Sequence, residues 1–246
     1  MIISHKYKFI FIKTRKTAGT SIELFLSKLC GENDVLTPII KYGHTPQNYC
    51  GSFNPIPEIT KYSNILIGSN NYPYRLFSSN PIKDCLRKRK FYNHIPAYMI
   101  KERISSDIWN DYYKFCFERN PWDKFLSHYY FFKGEIGKKF SFDDYISGKN
   151  FAWNYPLYTN PLNPNKIMVD YVGKYENLNE ELSRIFARLS IPFDGSLSVR
   201  AHSQFRKDKR PYQEVLSRKE QDFIDKQFYQ EIQMHRHYSK RCYYEW

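Results

Sequence analysis

The chain has 246 residues, 41% hydrophobic and 26% charged, a balance that excludes a disordered chain and suits one α/β unit with a sizeable core. Its formal net charge of +13 draws anions (a phosphorylated nucleotide, nucleic acid, an anionic glycan, a membrane surface) without choosing among them. The five cysteines, Cys30, Cys50, Cys85, Cys116 and Cys242, form no CxxC pair, so neither a disulfide framework nor a zinc site is indicated, and reduced thiols in a cytoplasmic compartment are the expectation.

Phe9 to Ile12 is a short, continuously apolar run, the pattern of a buried parallel strand. A Thr- and Lys-rich loop, Lys13 to Ser21, leads to a helix face of Ile22, Leu24, Phe25, Leu26 and Leu29, which Gly31 ends. Residues 32–63 read as irregular, with Ile65 to Ile67 as a short strand and Pro96 to Ile104 as a helix. A second buried strand, Asp111 to Phe117, runs into a loop and then a helix from Asp123 to Phe132. Next come a short helix at Phe142–Ser147, a Pro/Asn/Tyr-rich loop over 150–165, a third strand at Met168–Val172 and an amphipathic helix at Leu178–Leu189. A basic loop at 198–212 precedes a last helix, Ser217 to Ile232, whose start has the form of a capping box. The N-terminal apolar stretch is too short for a signal segment, and no later stretch reaches transmembrane length. With no repeat and no linker visible, residues 1–246 are expected to form one α/β domain, a central parallel sheet flanked by helices.

The loop Lys13-Thr14-Arg15-Lys16-Thr17-Ala18-Gly19-Thr20-Ser21 stands between a strand and a helix N-terminus, where free N–H groups and the helix dipole attract anions. Gly19 lets the backbone approach a phosphate, Thr17, Thr20 and Ser21 offer hydroxyls, and Lys16 offers a mobile cation for a leaving phosphate. It lacks the glycine and lysine order of a Walker A loop. Read alone, it could also be a Thr-rich helix cap. At the end of the second strand, Glu118-Arg119-Asn120-Pro121-Trp122-Asp123 presents an arginine fork suited to phosphate, and Ser127, eight residues on, falls in the following helix. Alternatively, Arg119 could pair with a structural carboxylate and Ser127 could be plain surface.

Together these segments resemble the sulfotransferases that use PAPS (3′-phosphoadenosine-5′-phosphosulfate), most closely the bacterial and carbohydrate-type branch. The segment from Asp170 to Leu178 is similar to the strand and loop that follow in that branch. The resemblance implies a P-loop nucleotide-kinase-like fold and transfer of a sulfuryl group from PAPS to a hydroxyl, expected on a carbohydrate, with PAP as product and no metal. Arg15, Lys16, Thr17, Ala18, Gly19, Thr20 and Ser21 would then hold the 5′-phosphosulfate, Arg119 and Ser127 the 3′-phosphate, and Arg206 and Lys207 would close over it. Three positions depart from the family pattern: Arg15 replaces a proline, Ser21-Ile22 stand where many relatives have a tryptophan, and Asp208 replaces a glycine.

Deprotonating a hydroxyl calls for a base near neutrality, which fits histidine. His94, in Tyr92-Asn93-His94-Ile95-Pro96, lies 25 residues before Arg119 and resembles the family's catalytic His-Ile/Leu-Pro segment. His44 is the competitor, and Glu118 ranks below His94 because its side chain should face away from that of Arg119. His202, His235 and His237 read as basic surface. Two other functions remain open to the sequence: an Mg-dependent phosphotransferase with a degenerate loop, and a nucleic-acid or anionic-glycan binding module built on Arg87–Lys90 and residues 206–210.

Overall fold

The computed structural model describes residues 1–39, 45–67, 81–137, 139–197, 205, 206, 208 and 210–241. His44, His202, Lys207 and Lys209 lie outside the described residues, as does the side chain of His237.

The alternation Phe9-Ile10-Phe11-Ile12 sends side chains to both faces of a sheet, and both faces are buried. This segment supplies β2 (Phe9–Phe11), which pairs in parallel with β4 (Tyr113–Glu118); β4 pairs in parallel with β7 (Tyr171–Lys174). Phe9, Phe11, Phe115 and Phe117 project to one face, against Ile22 and Leu26 of α1 (Gly19–Ser27) and Leu182, Ile185 and Phe186 of α9 (Leu178–Arg188). Ile10, Ile12 and Cys116 project to the other, toward Tyr98, Met99 and Ile100 of α4 (Ala97–Arg103) and Leu157 and Tyr158 of α8 (Tyr155–Tyr158).

The sheet is not wholly parallel as expected. Its order is β3-β1-β2-β4-β7, where β1 (Ile2–Ser4) is antiparallel to both β2 and β3 (Val35–Leu36). Four strands therefore run one way and only β1 is reversed, because the short link after Ser4 permits a hairpin and not a crossover. The strand expected at 65–67 instead ends α2 (Ile56–Ile67). Pro57 suits a first helical turn, and the helix is tied to α4 through the buried Glu58–Arg103 pair and the Tyr62–Tyr98 ring contact. A further short helix, α3 (Pro81–Leu86), and α5 (Ser106–Asp111) precede β4.

The third parallel strand begins three residues later than its apolar run suggests. Asp170 caps the edge of the sheet: its N–H donates to Lys114 O (2.8 Å), and its carboxylate accepts from Lys114 N (2.7 Å). Part of the segment expected to be loop over 150–165 forms a hairpin of β5 (Thr159–Asn160) and β6 (Asn163–Ile167). The last helix is two, α11 (Arg218–Gln227) and α12 (Tyr229–Arg241), broken where Phe228 leaves helical geometry with its ring buried. The capping box of Ser217 and Glu220 is present.

A third core joins α6 (Pro121–Ile136), α7 (Phe142–Ser147), α10 (Tyr212–Val215) and α11 to α12 through Phe125, Tyr145, Phe151, Trp153 and Phe228. Much of the 18% aromatic content thus serves edge-to-face ring packing. No helix among the described residues is long and apolar enough to cross a membrane.

Gly173 lies where β7 meets both β4 and α9. A Cβ there would stand 2.6 Å from the Phe117 ring and 3.5 Å from Glu181 Cβ. Phe117 is fully buried and has no open space to move into. Gly173→Ala is expected to lower unfolding stability by about 1–3 kcal/mol, read as a fall in the urea midpoint with an unchanged m-value.

Candidate functional site

All three parallel strands end on one cleft, the place where open α/β sheets bind ligands. The loop after β2 forms its floor, Ser127 to Glu135 of α6 one wall, and a 3₁₀ turn, Tyr175–Asn177, another. The cleft holds about 1150 Å³, beyond the usual range for a single small ligand. Of the sequence-predicted residues, Arg15, Lys16, Ala18, Gly19, Thr20, Ser21, His94, Arg119, Ser127 and Arg206 line it.

The loop takes its shape from its backbone. Lys16 and Ala18 both have positive φ, 61° and 58°, and Thr17 between them does not. Such alternation is the backbone pattern from which anion nests are built, and it stands here at the mouth of α1. Non-glycine residues held in this region cost about 1–3 kcal/mol each, so the surrounding structure must impose it. Gly19 lines the cleft and also meets a packing need. Its φ is not positive; a Cβ there would sit 2.7 Å from Lys13 Cγ, so the glycine admits the buried Lys13 side chain, which pairs with Glu23 of α1 at 2.6 Å. The Thr17 hydroxyl points into the loop, 2.8 Å from that of Thr14, and Thr17 is the one residue of 15–21 that does not line the cleft.

Asn154, just before α8, clamps the loop. Its side-chain amide accepts from Arg15 N (2.7 Å) and donates to Arg15 O (3.0 Å) and to Glu118 Oε1 (3.1 Å). Glu118 is buried on the face away from the cleft, where it also accepts from Lys124 Nζ (2.7 Å) and the Tyr158 hydroxyl (3.2 Å). Lys124 pairs in turn with Glu231 of α12, which accepts from Tyr155 N at 2.8 Å. Glu118 is thus a partner of the scaffold. Nothing in sequence spacing pointed to Asn154, since its partners lie at separations of 36 to 139 residues.

The cations of the cleft carry few counter-charges. Burial brings the Lys16 ammonium down to about 8, with Arg119 adding repulsion. Its Nζ rests 4.5 Å above the Phe131 ring, one helical turn beyond Ser127. The Arg119 guanidinium lies 4.3 Å over the Tyr175 ring and donates to Lys16 O at 3.4 Å. Its Nε is buried with no hydrogen-bond partner, as is the Nε of Arg15. Two orphaned arginine donors in one cleft fit an anionic ligand. Arg206, by contrast, already donates to Asp123 Oδ1 (2.8 Å), Asp208 O (2.9 Å) and Arg210 O (2.8 Å), so at the rim it braces its own loop.

His94 sits at positive φ, 59°, with Nδ1 2.9 Å from Lys13 O. A carbonyl only accepts, so Nδ1 carries the proton and Nε2 keeps its lone pair. Burial, with Lys13 and Arg15 nearby, holds the imidazole well below its usual pKa, hence neutral. His128, passed over in the sequence, lines the same cleft with Nδ1 2.7 Å from the Tyr145 hydroxyl, and it too is kept neutral by burial and by Lys16 and Arg15. His235, read from sequence as surface, lies within 3.8 Å of Glu176 and is only partly exposed. Among the described residues, no group of three His, Cys, Asp or Glu side chains converges as a metal site.

A protein of Archaeoglobus fulgidus, described as an uncharacterized protein, is 36% identical over 119 residues, which is 46% of this chain and 98% of that relative's length. The family profile described as "Sulfotransferase family" matches residues 1–240, from β1 almost to the end of α12 and across every wall of the cleft. With that match over nearly the whole chain, the protein belongs to the sulfotransferase family.

Proposed function

We propose that the chain transfers the sulfuryl group of PAPS to an acceptor hydroxyl, PAPS + R–OH → PAP + R–OSO₃⁻ + H⁺, with a carbohydrate as acceptor, and that it works in a reducing cytoplasmic compartment, as its unpaired Cys30, Cys50, Cys85 and Cys116 suit. The observation that carries the donor reading is the buried, unpartnered Nε of Arg119 beside the Lys16–Ser21 nest and Ser127, all on one cleft. On this reading Arg119 and Ser127 hold the 3′-phosphate of the nucleotide. The nest and Lys16 receive the charge that grows on the departing phosphate, where a desolvated ammonium acts more strongly than one in water. His94 takes the acceptor proton on Nε2, and its Nδ1–H bond to Lys13 O keeps the ring oriented for that task.

Nucleotide binding tests the donor. PAP is expected to raise the melting temperature, since a ligand bound only by the native state stabilises it. If PAP is silent while ATP with Mg²⁺ stabilises, the chain is a phosphotransferase instead. Arg119→Ala should weaken PAP by about 2–3 kcal/mol in calorimetry and adenosine 5′-phosphosulfate, which lacks the 3′-phosphate, much less. Equal losses would remove Arg119 from the 3′-phosphate.

The pH profile tests the base and the lysine together. Protonated His94 cannot accept a proton, and burial depresses its pKa, so the acid limb of kcat/KM should fall below the ordinary histidine range. On the alkaline side kcat/KM should decline as pH rises through about 8, where free Lys16 loses its charge. His94→Ala should cut turnover by about 10²–10⁴-fold, abolish the acid limb and leave PAP affinity within a few-fold of wild type. Retained turnover in His94→Ala with loss in His44→Ala would transfer the role to His44.

A further inference from the structure

Two histidines line the cleft, and their hydrogen bonds fix opposite tautomers. Nδ1 of His94 meets a carbonyl, which cannot donate, so the ring proton of His94 sits on Nδ1. Nδ1 of His128 meets the Tyr145 hydroxyl at 2.7 Å, and that hydroxyl has no other hydrogen-bond partner among the described residues. Tyr145 is buried, and burial holds its phenol well above the usual range, so the phenol keeps its proton. Were Nδ1 of His128 protonated, that phenol proton would lie in the interior with nothing to accept it. The hydroxyl therefore donates to Nδ1, and the ring proton of His128 stands on Nε2. This Nε2 makes no hydrogen bond among the described residues and is not closed off by its neighbours, so it opens on the cleft that His128 lines. The cleft thus presents one imidazole with a free lone pair and one with a free N–H.

The free N–H is held in place. His128 stands on α6 beside Ser127, with its ring edge-on to Phe132 at 4.9 Å and its far nitrogen tied to Tyr145. Three residues on, and on the same side of the helix, the Phe131 ring carries the Lys16 ammonium at 4.5 Å. The N–H therefore adjoins the cation proposed for the leaving phosphate.

We infer that His128 is a further catalytic residue: its Nε2–H donates a hydrogen bond to a non-bridging oxygen of the sulfuryl group, beside Lys16. This rests on the donor reading above. In the transfer the P–O–S bridge breaks at sulfur and its electron pair stays on the phosphate, the acceptor oxygen bonds to sulfur, and the acceptor proton goes to His94. His128 keeps its own proton throughout. A neutral donor of this kind orients the sulfuryl group on the line between the two oxygens without adding charge to a cleft already rich in cations. Lys16 and Arg15 act against a second proton on the ring, which keeps His128 a donor and not an acid.

The test uses the full chain, PAPS, and PAP, which lacks the sulfuryl group. In wild type labelled with ¹⁵N in its histidine rings, NMR should find His128 protonated at Nε2 and His94 at Nδ1. The other tautomer in His128 overturns the inference, with no substitution needed. His128→Phe keeps a ring on α6 and removes the N–H; in calorimetry it should weaken PAPS about tenfold and PAP less than about threefold. His128→Gln, whose side-chain amide reaches about as far as Nε2, should return PAPS affinity to within about threefold of wild type. A packing role would be met by Phe and not by Gln, and a base role by neither. Unchanged PAPS affinity in His128→Phe, an equal loss of PAP and PAPS, or a Gln variant no better than Phe each overturns the assignment. If wild type binds neither nucleotide, the donor reading has failed and takes this inference with it, a result distinct from a loss confined to PAPS in the variants.

Discussion

The site depends on one buried contact, the Asn154 amide closed on the backbone of Arg15. An asparagine side chain can accept and donate at once, so it can replace a missing strand neighbour for one residue of loop. Asn154 can do this because it is itself immobilised, through Glu118 and, at its own N–H, through Glu231. Lys124 sits between these two carboxylates with no exposure, and burial raises the carboxyl of Glu231. Removing any one member would leave another charge or amide unpaired in a low-dielectric interior, which couples α12, α6 and α8 to a loop that none of them adjoins in sequence.

That scaffold accounts for the other unusual property of the cleft, its poorly compensated positive charge. Two strained backbone positions in three residues, and two arginines with orphaned Nε atoms, are unfavourable in isolation. They persist because the sheet and its two aromatic-rich faces supply stability elsewhere, and because an incoming anion relieves them. A cleft of this kind gains affinity without reorganising when its ligand arrives, and reorganisation is what weakens electrostatic stabilisation in water.

Much of the frame was legible from local pattern. The Phe9–Ile12 alternation, the helix expected from Asp123, which begins two residues earlier at Pro121 with Asn120 capping the N–H groups of Trp122 and Asp123, and the periodicity of 178–188 each reflect forces acting within a few residues. The misplaced elements share a cause. Ile65–Ile67 is as apolar as a strand, but tertiary ties from Glu58 and Tyr62 keep its segment helical. β1 is only three residues long, and the β5–β6 hairpin, Thr159-Asn160 and Asn163-Pro164-Asn165-Lys166-Ile167, lacks the apolar pattern of a strand. For the site, the resemblance brought together residues that do share one cleft; Tyr175 and His128 fall inside or beside the matched segments without a role assigned, whereas Asn154 is placed by contacts across the fold and left no trace in spacing. At Gly19 the sequence suggested the close approach of a ligand, and the fold adds a second need for glycine there, room for the Lys13 side chain.

Lys13 then links the two halves of the chemistry. Its side chain is fixed by Glu23, and its carbonyl holds Nδ1 of His94, a residue that stands 81 positions later and at strained φ. Three residues beyond it in the chain, Lys16 stands in the nest. In the proposed reaction the base and the cation for the leaving group are therefore both tied to one short backbone segment, whose position is set by β2 on one side and Asn154 on the other. In-line transfer needs attacking oxygen, sulfur and leaving oxygen on one axis, and a displacement of about 1 Å can cost a hundredfold. Lys16 belongs to this segment covalently and His94 is tied to it by the Nδ1–Lys13 O hydrogen bond, so motion of the loop as a body carries both proposed groups together.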